Sequence, residues 1–480
     1  MSISKKLTPS KSLVKQSLRG HAWIGLFWSA LLYLVCLSGA LVVFFPEMER
    51  WEQPATAEYT EISDQSISHA VTELQKLLSE PVKSIYFVYP NEDIPRAHVT
   101  ADDGEWWLNQ DGEITEPINT PWTVFMTDLH IYLHLPNTLG ILIIGMLGAM
   151  MCGLIISGLL AHPNLFKDAF KLRLGGNKQM QETDLHNRMS IWGLPFIFVV
   201  SFTGAYIGLF TVSLVVADYL TPEQHNREIV ADVFGQDPVV NAPPAEIDIA
   251  AIHADIQQRA PQARPAYFVI QKPGTEQQFV KMAVMLPERL IFSEIYNYHS
   301  DGRFIDSRRY SDGDIGRQVA YSSYRVHFGH FGGYLTKFLY LVLGLAMAAV
   351  VVTGVNMWFE KRKLRNRWYY LWPVFVWATP AAMALTALLS LVMAINPLWS
   401  FWLPLLATCL AMLFVHHRQQ QKTDVRTWVR TLKWLTLITM VIVVIAKLVQ
   451  ADWQLWYGLF GLGVVLLCVL PLIDYKKLFR

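Results

Sequence analysis

Residues 184–210 read DLHNRMSIWGLPFIFVVSFTGAYIGLF. The run is apolar for long enough to cross a bilayer, and one histidine, His186, stands just before it. Eighteen residues after His186 comes Gly204, inside Thr203-Gly204-Ala205. The first apolar run has the same design: His21 leads HAWIGLFWSALLYLVCLSGALVVFF, and Gly39 follows eighteen residues later inside Ser38-Gly39-Ala40. At about 1.5 Å per residue that separation is roughly 27 Å, close to the hydrocarbon thickness. Each histidine therefore belongs at one face of a membrane and each glycine near the other. His130 and His134 lead a second run that reaches Ser157-Gly158, and His327 and His330 lead a fourth that reaches Thr353-Gly354. The distances His134 to Gly158 and His330 to Gly354 are both 24 residues. The chain repeats a unit of span, polar insert and span.

Composition agrees. Of 480 residues 52% are hydrophobic and only 16% charged, with mean hydropathy +0.27, which excludes an ordinary soluble protein. A net charge of +1 gives no reason to expect a nucleic-acid partner. The four cysteines all lie in apolar runs, so the inserts have no disulfide framework, and no Cys-x-x-Cys-His attaches a c-type haem. Several of the seventeen tryptophans sit at span ends, as an aromatic belt facing lipid headgroups requires.

Eight apolar runs are expected to span, at about 22–45, 139–161, 191–216, 335–359, 371–395, 398–415, 432–450 and 453–473. Lys5, Lys6, Lys11, Lys15 and Arg19 precede the first; Lys167, Lys171, Arg173, Lys178 and Arg188 lie between the second and third. Lys361 to Arg367 follow the fourth, Arg418, Lys422, Arg426 and Arg430 link the sixth and seventh, and Lys476, Lys477 and Arg480 end the chain. Basic residues thus collect on alternate sides, which puts both termini in the cytoplasm and both inserts outside. The implied division is 1–45 (N-terminus and first span), 46–125 (first insert), 126–216 (two spans and their loop), 217–325 (second insert), 326–367 (fourth span and basic loop) and 368–480 (a four-span appendage). Each insert reads as a small α+β domain: a helix at Ile67–Leu78 or Ile247–Gln258, then strands. The expected strands are Ser84–Tyr89, Arg96–Thr100 and Trp106–Asn109 in the first insert, and Tyr267–Gln271, Phe279–Met285 and Leu290–Tyr298 in the second. An Asp-Gly turn, Asp111-Gly112 or Asp301-Gly302, closes each.

Topology sorts the histidines into two layers. His21 and His186 lie at the cytoplasmic level; His130, His134, His327 and His330 lie at the outer level. Neutral imidazole ligates iron well, and a polar side chain near lipid needs a partner. A planar cofactor between facing imidazoles meets both needs, so the expectation is two b-type haems, one per layer, forming an electron path. Zinc ligation and proton relay use the same residue type and stay as alternatives. In the outer layer His130 and His134 are i, i+4, on one helix face, and His327 and His330 are i, i+3. Gap-free register favours His134 with His330. His162, at the end of the second span, reads as interfacial. No dinucleotide, Walker, zincin or serine-hydrolase motif is present, so electrons must come from another molecule.

These residues form a pattern that resembles the PepSY-associated transmembrane-helix family, iron-regulated membrane proteins that include bacterial inner-membrane ferrisiderophore reductases. The matching stretches are RGHAWIGLFW…SGA (19–40), DLHIYLHLPNTLG…ISG (128–158), DLHNRMSIWGLPF…TGA (184–205) and VHFGHFGG…VTGVNMW (326–358). The resemblance implies a membrane α-helical fold with two periplasmic α+β PepSY-like domains, histidine-ligated haem b, and reduction of a ferric siderophore by electrons from a cytoplasmic or quinol donor. The first histidine of each outer pair is the commoner one in that pattern, which favours His130 and His327. A substrate cleft is expected above the outer haem, lined by Tyr321, Tyr324 and Arg325 with Arg308 and Arg309, since arginine and tyrosine suit carboxylate and hydroxamate oxygens. Two competing readings are a membrane-anchored PepSY protein that binds peptides or regulates proteases, and a metal or solute transporter.

Overall fold

A computed structural model describes residues 10–78, 82–102, 104–162, 177–220, 235–419, 424–451 and 455–472. Lys5, Lys6, Lys167, Lys171, Arg173, Lys422, Lys476, Lys477 and Arg480, on which the topology reading leans, lie outside the described residues. In chain order the helices are α1 (Lys11–Val42), α2 (Phe45–Glu52), α3 (Asp64–Leu77), α4 (Pro121–Ile131), α5 (Asn137–Ala161), α6 (Lys178–Trp192) and α7 (Leu194–Leu220). They continue with α8 (Ile249–Arg259), α9 (Ile315–Phe328), α10 (Gly333–Arg362), α11 (Arg367–Met393), α12 (Pro397–Gln419), α13 (Val425–Gln450) and α14 (Leu455–Val469). The strands are β1 (Ser84–Val88), β2 (His98–Ala101), β3 (Gly104–Leu108), β4 (Ile114–Pro117), β5 (Arg264–Gln271), β6 (Phe279–Met285), β7 (Glu294–Tyr298) and β8 (Phe304–Arg308). The chain divides into two compact units: Met1–Pro54 with Thr120–Leu209 and Lys337–Arg480, and Ala55–Asn119 with Phe210–Thr336.

The first unit is helical. Among the described residues seven helices are long and apolar enough to cross a membrane: α1, α5, α7, α10, α11, α12 and α13. The eighth expected span appears as a shorter apolar helix at Phe460–Leu472. Local signals set the helix starts, since Ser10, Asn177, Asn366 and Asp424 each accept a backbone N–H of the first turn of α1, α6, α11 and α13. Small residues let helices approach. A Cβ on Gly148 would lie 2.8 Å from the Ala205 nitrogen and one on Gly208 2.8 Å from the Gly145 Cα, so α5 and α7 pack backbone to backbone.

Between α4 and α5 the helix breaks. Leu133 and His134 are left-handed, at φ 53° and 55°, and Pro136 leads into α5. Gly140 makes the turn possible, because a Cβ there would lie 2.4 Å from the Tyr132 carbonyl oxygen. His130 and His134 are therefore not on one continuous helix face, as i, i+4 spacing suggested. His327 and His330 are parted in the same way: α9 ends in Gly329 at φ 72°, whose N–H bonds to the Arg325 carbonyl, so His330 lies beyond the helix.

The second unit is one antiparallel sheet of eight strands in the order β4-β3-β2-β1-β5-β6-β7-β8. The two inserts, each read from sequence as its own small domain, join through β1 and β5, in register from Ser84 opposite Gln271 to Val88 opposite Tyr267. Pairing these two edges removes two rows of open backbone groups. The inserts also share a core: Ile67, Leu74, Ile252 and Ile256 from α3 and α8 cover the sheet, and Phe87 stacks on Phe268 at 5.1 Å. His253 of α8 bonds Asp64 of α3 and Tyr89 of the first insert, both at 2.7 Å. The Asp-Gly turns do not close the inserts, because each leads into one more strand, β4 or β8. Gly112 and Gly302 have φ 84° and 80°. A Cβ on them would strike Ser66 of α3 and Ala251 of α8, so each turn packs on its own repeat's helix.

Candidate functional site

The helical unit brings His21 and His186 together, with ring centroids 6.2 Å apart and planes at 86°. Each ring is seated on a neighbouring helix. His21 Nδ1 lies 3.0 Å from the Leu154 carbonyl oxygen and 3.2 Å from Ser157 Oγ on α5. His186 Nδ1 lies 2.9 Å from the Val350 carbonyl oxygen and 3.4 Å from Thr353 Oγ1 on α10. A carbonyl oxygen only accepts, so Nδ1 carries the proton in both rings and Nε2 keeps its lone pair.

The repeated Ser/Thr-Gly explains the seats. A Cβ on Gly158 would lie 3.3 Å from His21 Cε1, and one on Gly354 3.2 Å from His186 Cε1. The carbonyl used in each case belongs to the residue four before the glycine. In a helix that carbonyl points toward the N–H of the glycine itself, and the bare Cα leaves it open to a second donor. His130 obeys the same rule on α1: its Nδ1 is 3.1 Å from the Val35 carbonyl oxygen, four residues before Gly39. A Cβ on Gly39 would lie only 2.5 Å from His130 Cε1. Val35 follows His21 by fourteen residues, or about 21 Å of helix, so the two histidine levels are well separated within this unit.

A cavity of about 550 Å³ opens beside His21 and His186. Leu154, Ile155, Ile197 and Val350 form apolar walls, while Lys15, Arg19, Lys361 and Arg362 also border it. No Asp or Glu is among its described lining residues. His162 and Trp358, which stand at matching places in the two repeats, both border it; the sequence reading left His162 at the interface. Among the described residues no three His, Cys, Asp or Glu side chains gather to hold a bare metal ion.

His134 is differently employed. Its Nε2 lies 2.8 Å from the Phe125 carbonyl oxygen, and its Nδ1 accepts the Trp402 indole N–H at 3.0 Å. Both of its ring nitrogens are thus engaged within the helical unit. In the sheet unit, His327 lies in the last turn of α9, and the main-chain carbonyl of His330 accepts Arg325 Nε at 2.7 Å. Arg325 also donates to the Arg289 and Ile291 carbonyl oxygens, at 2.6 and 3.3 Å. It braces the chain around His330. Tyr321 stacks on Tyr310 at 3.6 Å, Arg309 pairs with Asp312 at 2.9 Å, and Tyr324, 52% exposed, stacks on Phe328 at 4.8 Å.

Sequence reasoning missed a set of buried ionic groups at the far end of α1. Glu47 and Lys337 form an ion pair at 2.6 Å with side chains 0% and 2% exposed. Glu52 accepts the N–H groups of Trp122 and Thr123, both at 2.8 Å, and the Thr123 hydroxyl at 2.7 Å, and so caps α4. Burial raises the Glu52 carboxyl above its ordinary pKa, against the pull of those bonds and of Lys447. The one signal in the sequence was PEMERWE, an acidic stretch directly after an apolar run.

Comparison with known proteins agrees with this architecture. The family model described as the PepSY-associated TM region matches residues 18–361. An uncharacterized protein of Pseudomonas aeruginosa, PA4219, is 23% identical over 235 residues, a match that spans 46% of this chain and 60% of that relative's length. The four histidine-led spans and both inserts all fall inside the matched region, and the chain belongs to the PepSY-associated TM family.

Proposed function

We propose that this protein is a b-type haem protein of the bacterial inner membrane, passing electrons from a cytoplasmic or quinol donor to a ferric siderophore outside. The observation that carries the reading is the His21–His186 pair. A haem iron held between the two rings would be taken through their Nε2 atoms, the nitrogens that the helix seats do not use. The rings are 6.2 Å apart. Their Nδ1–H groups donate to helix carbonyls, which orients each ring and strengthens its free nitrogen as a ligand. The apolar walls suit a porphyrin face, and the lysines and arginines bordering the cavity suit its propionates.

Haem, when bound, supplies a one-electron carrier whose potential follows its axial ligands and their hydrogen bonds. The chain supplies everything else. His21 and His186 would hold the inner group, and the seats on α5 and α10 keep their rings from turning. His130, seated on α1, would hold the outer group; the sequence repeat alone names His327 beside it.

The test is optical. Purified protein should show a Soret band and a reduced-minus-oxidised alpha band, and redox titration should resolve two components. Protein reduced with dithionite and freed of excess should be reoxidised by a ferric siderophore. Absence of haem bands would end the haem reading. Reduced haem that persists with ferric siderophores, yet is reoxidised by oxygen or a quinone, would end the siderophore part and leave electron transfer.

A further inference from the structure

We propose that the C-terminal helices, which lie beyond the family match, form a clamp on α4 that positions His130. The inference rests on the haem reading only for what the clamp is for. Three helices of that segment each reach a different part of the His130 seat. On α11, the Val376 carbonyl accepts the Tyr33 hydroxyl at 2.7 Å, two residues from Val35, whose carbonyl holds His130. On α12, Trp402 donates to His134 at 3.0 Å, in the break that follows α4. On α13, Lys447, 3% exposed, donates to the Glu52 main-chain oxygen at 3.2 Å, and the Glu52 carboxylate caps the start of α4.

The break needs such support. Leu133 and His134 are left-handed without being glycine, a conformation that persists only where the surroundings impose it. Those surroundings come largely from α12. The His134 ring is stacked on Phe125 at 4.5 Å, and Phe125 meets Phe401, fully buried, at 5.3 Å. Phe401 thus packs on α4 through Phe125, Trp402 holds His134 in the break that follows it, and Lys447 steadies the residue that caps its first turn. A lipid-facing appendage would have no reason to place a buried lysine and an indole N–H around the short helix that carries His130. Trp402 and Lys447 are positioning residues: neither touches the proposed cofactor.

Two readouts on the full-length protein test this. Hydrogen exchange of the α4 amides should become about tenfold faster in Trp402→Phe, the loss of one buried hydrogen bond, and in Lys447→Met. It should be unchanged in Trp399→Phe, a tryptophan 60% exposed on the same helix. In redox titration the outer component should shift or split in Trp402→Phe and Lys447→Met while the inner component stays put. A thermal melt confirms that each variant is folded, and if one fails to fold the other carries the test. Folded variants with unchanged α4 exchange and an unchanged outer potential overturn the clamp. A wild-type protein without haem overturns the haem reading, and the exchange measurement still decides the clamp.

Discussion

Adding one carbon to Gly39 should strip the outer histidine of its seat. The Cβ of Gly39→Ala would lie 2.5 Å from His130 Cε1 and 2.9 Å from Nδ1, whereas ordinary contact begins near 3.4 Å. The ring must therefore move by about 0.9 Å, the difference between 3.4 and 2.5 Å. Its bond to the Val35 carbonyl, already 3.1 Å long, cannot survive that displacement. Overpacking costs about 1–3 kcal/mol, and the lost hydrogen bond about 1 kcal/mol more. Without its Nδ1 acceptor the imidazole is also a weaker ligand, by about 10–100-fold in metal affinity. The same change at Gly158 or Gly354 meets His21 or His186 at 3.3 or 3.2 Å, a shortfall of only 0.1 or 0.2 Å from 3.4 Å. The expected order of damage is thus Gly39→Ala far ahead of Gly354→Ala and Gly158→Ala. Haem content and potentiometric titration of the three variants measure it. Gly39→Ala should lose or displace the outer component and leave the inner one; the other two should shift the inner component slightly. A Gly39→Ala protein that titrates like wild type would refute the seat.

Other expectations follow from separate features. His21→Ala or His186→Ala should abolish the inner haem and spare the outer, and His130→Ala should do the reverse, read as one titration component in place of two. Lys337→Met leaves Glu47 buried and alone, which should cost about 3–5 kcal/mol; a melting temperature equal to wild type would show that the pair is not buried in the membrane-extracted protein. Burial lowers the His98 imidazole on β2 to about 4, from an ordinary value of 6.5. A lowered histidine keeps its stabilising effect above pH 6.5 and loses it as pH falls toward 4, so the sheet should weaken over that window, and His98→Phe should flatten the dependence when followed by hydrogen exchange. Reporter fusions after Gln110 and Asp301 should report the periplasm and those after Lys178 and Arg367 the cytoplasm; a cytoplasmic report from either insert would overturn the two-layer assignment.

Much of the membrane architecture was legible because length and composition alone decide a span, and four histidines at fixed offsets from four glycines survive without any knowledge of neighbours. What the glycines are for was not legible. Small residues in a span read as helix packing, and some are that: Ala40 lies against Gly344, and Ala205 against Gly148. Only the adjacent helix shows that Gly39, Gly158 and Gly354 face imidazoles. The engagement of His134 likewise involves Trp402, 268 residues away in sequence. β4 and β8 were missed because ITEP and FIDSR carry little apolar alternation and lie at the outer edges of the sheet. The pairing of β1 with β5 has no local signature at all.

That pairing also sets an order of assembly. β1 is made long before β5, and two membrane spans, α5 and α7, are synthesised between them. Until Arg264–Gln271 emerges, the β1 edge from Ser84 to Val88 has no partner on that side. A nascent chain halted after α7 would carry a half-sheet with an open edge, a ready template for the wrong strand. Completion of the sheet is a late, non-local and therefore slow step, and it ties the two inserts together only after α1, α5 and α7 have been made, while α10 still lies ahead in the chain. Truncation after α7 should accordingly yield a product that aggregates or is degraded, even though its first insert is complete.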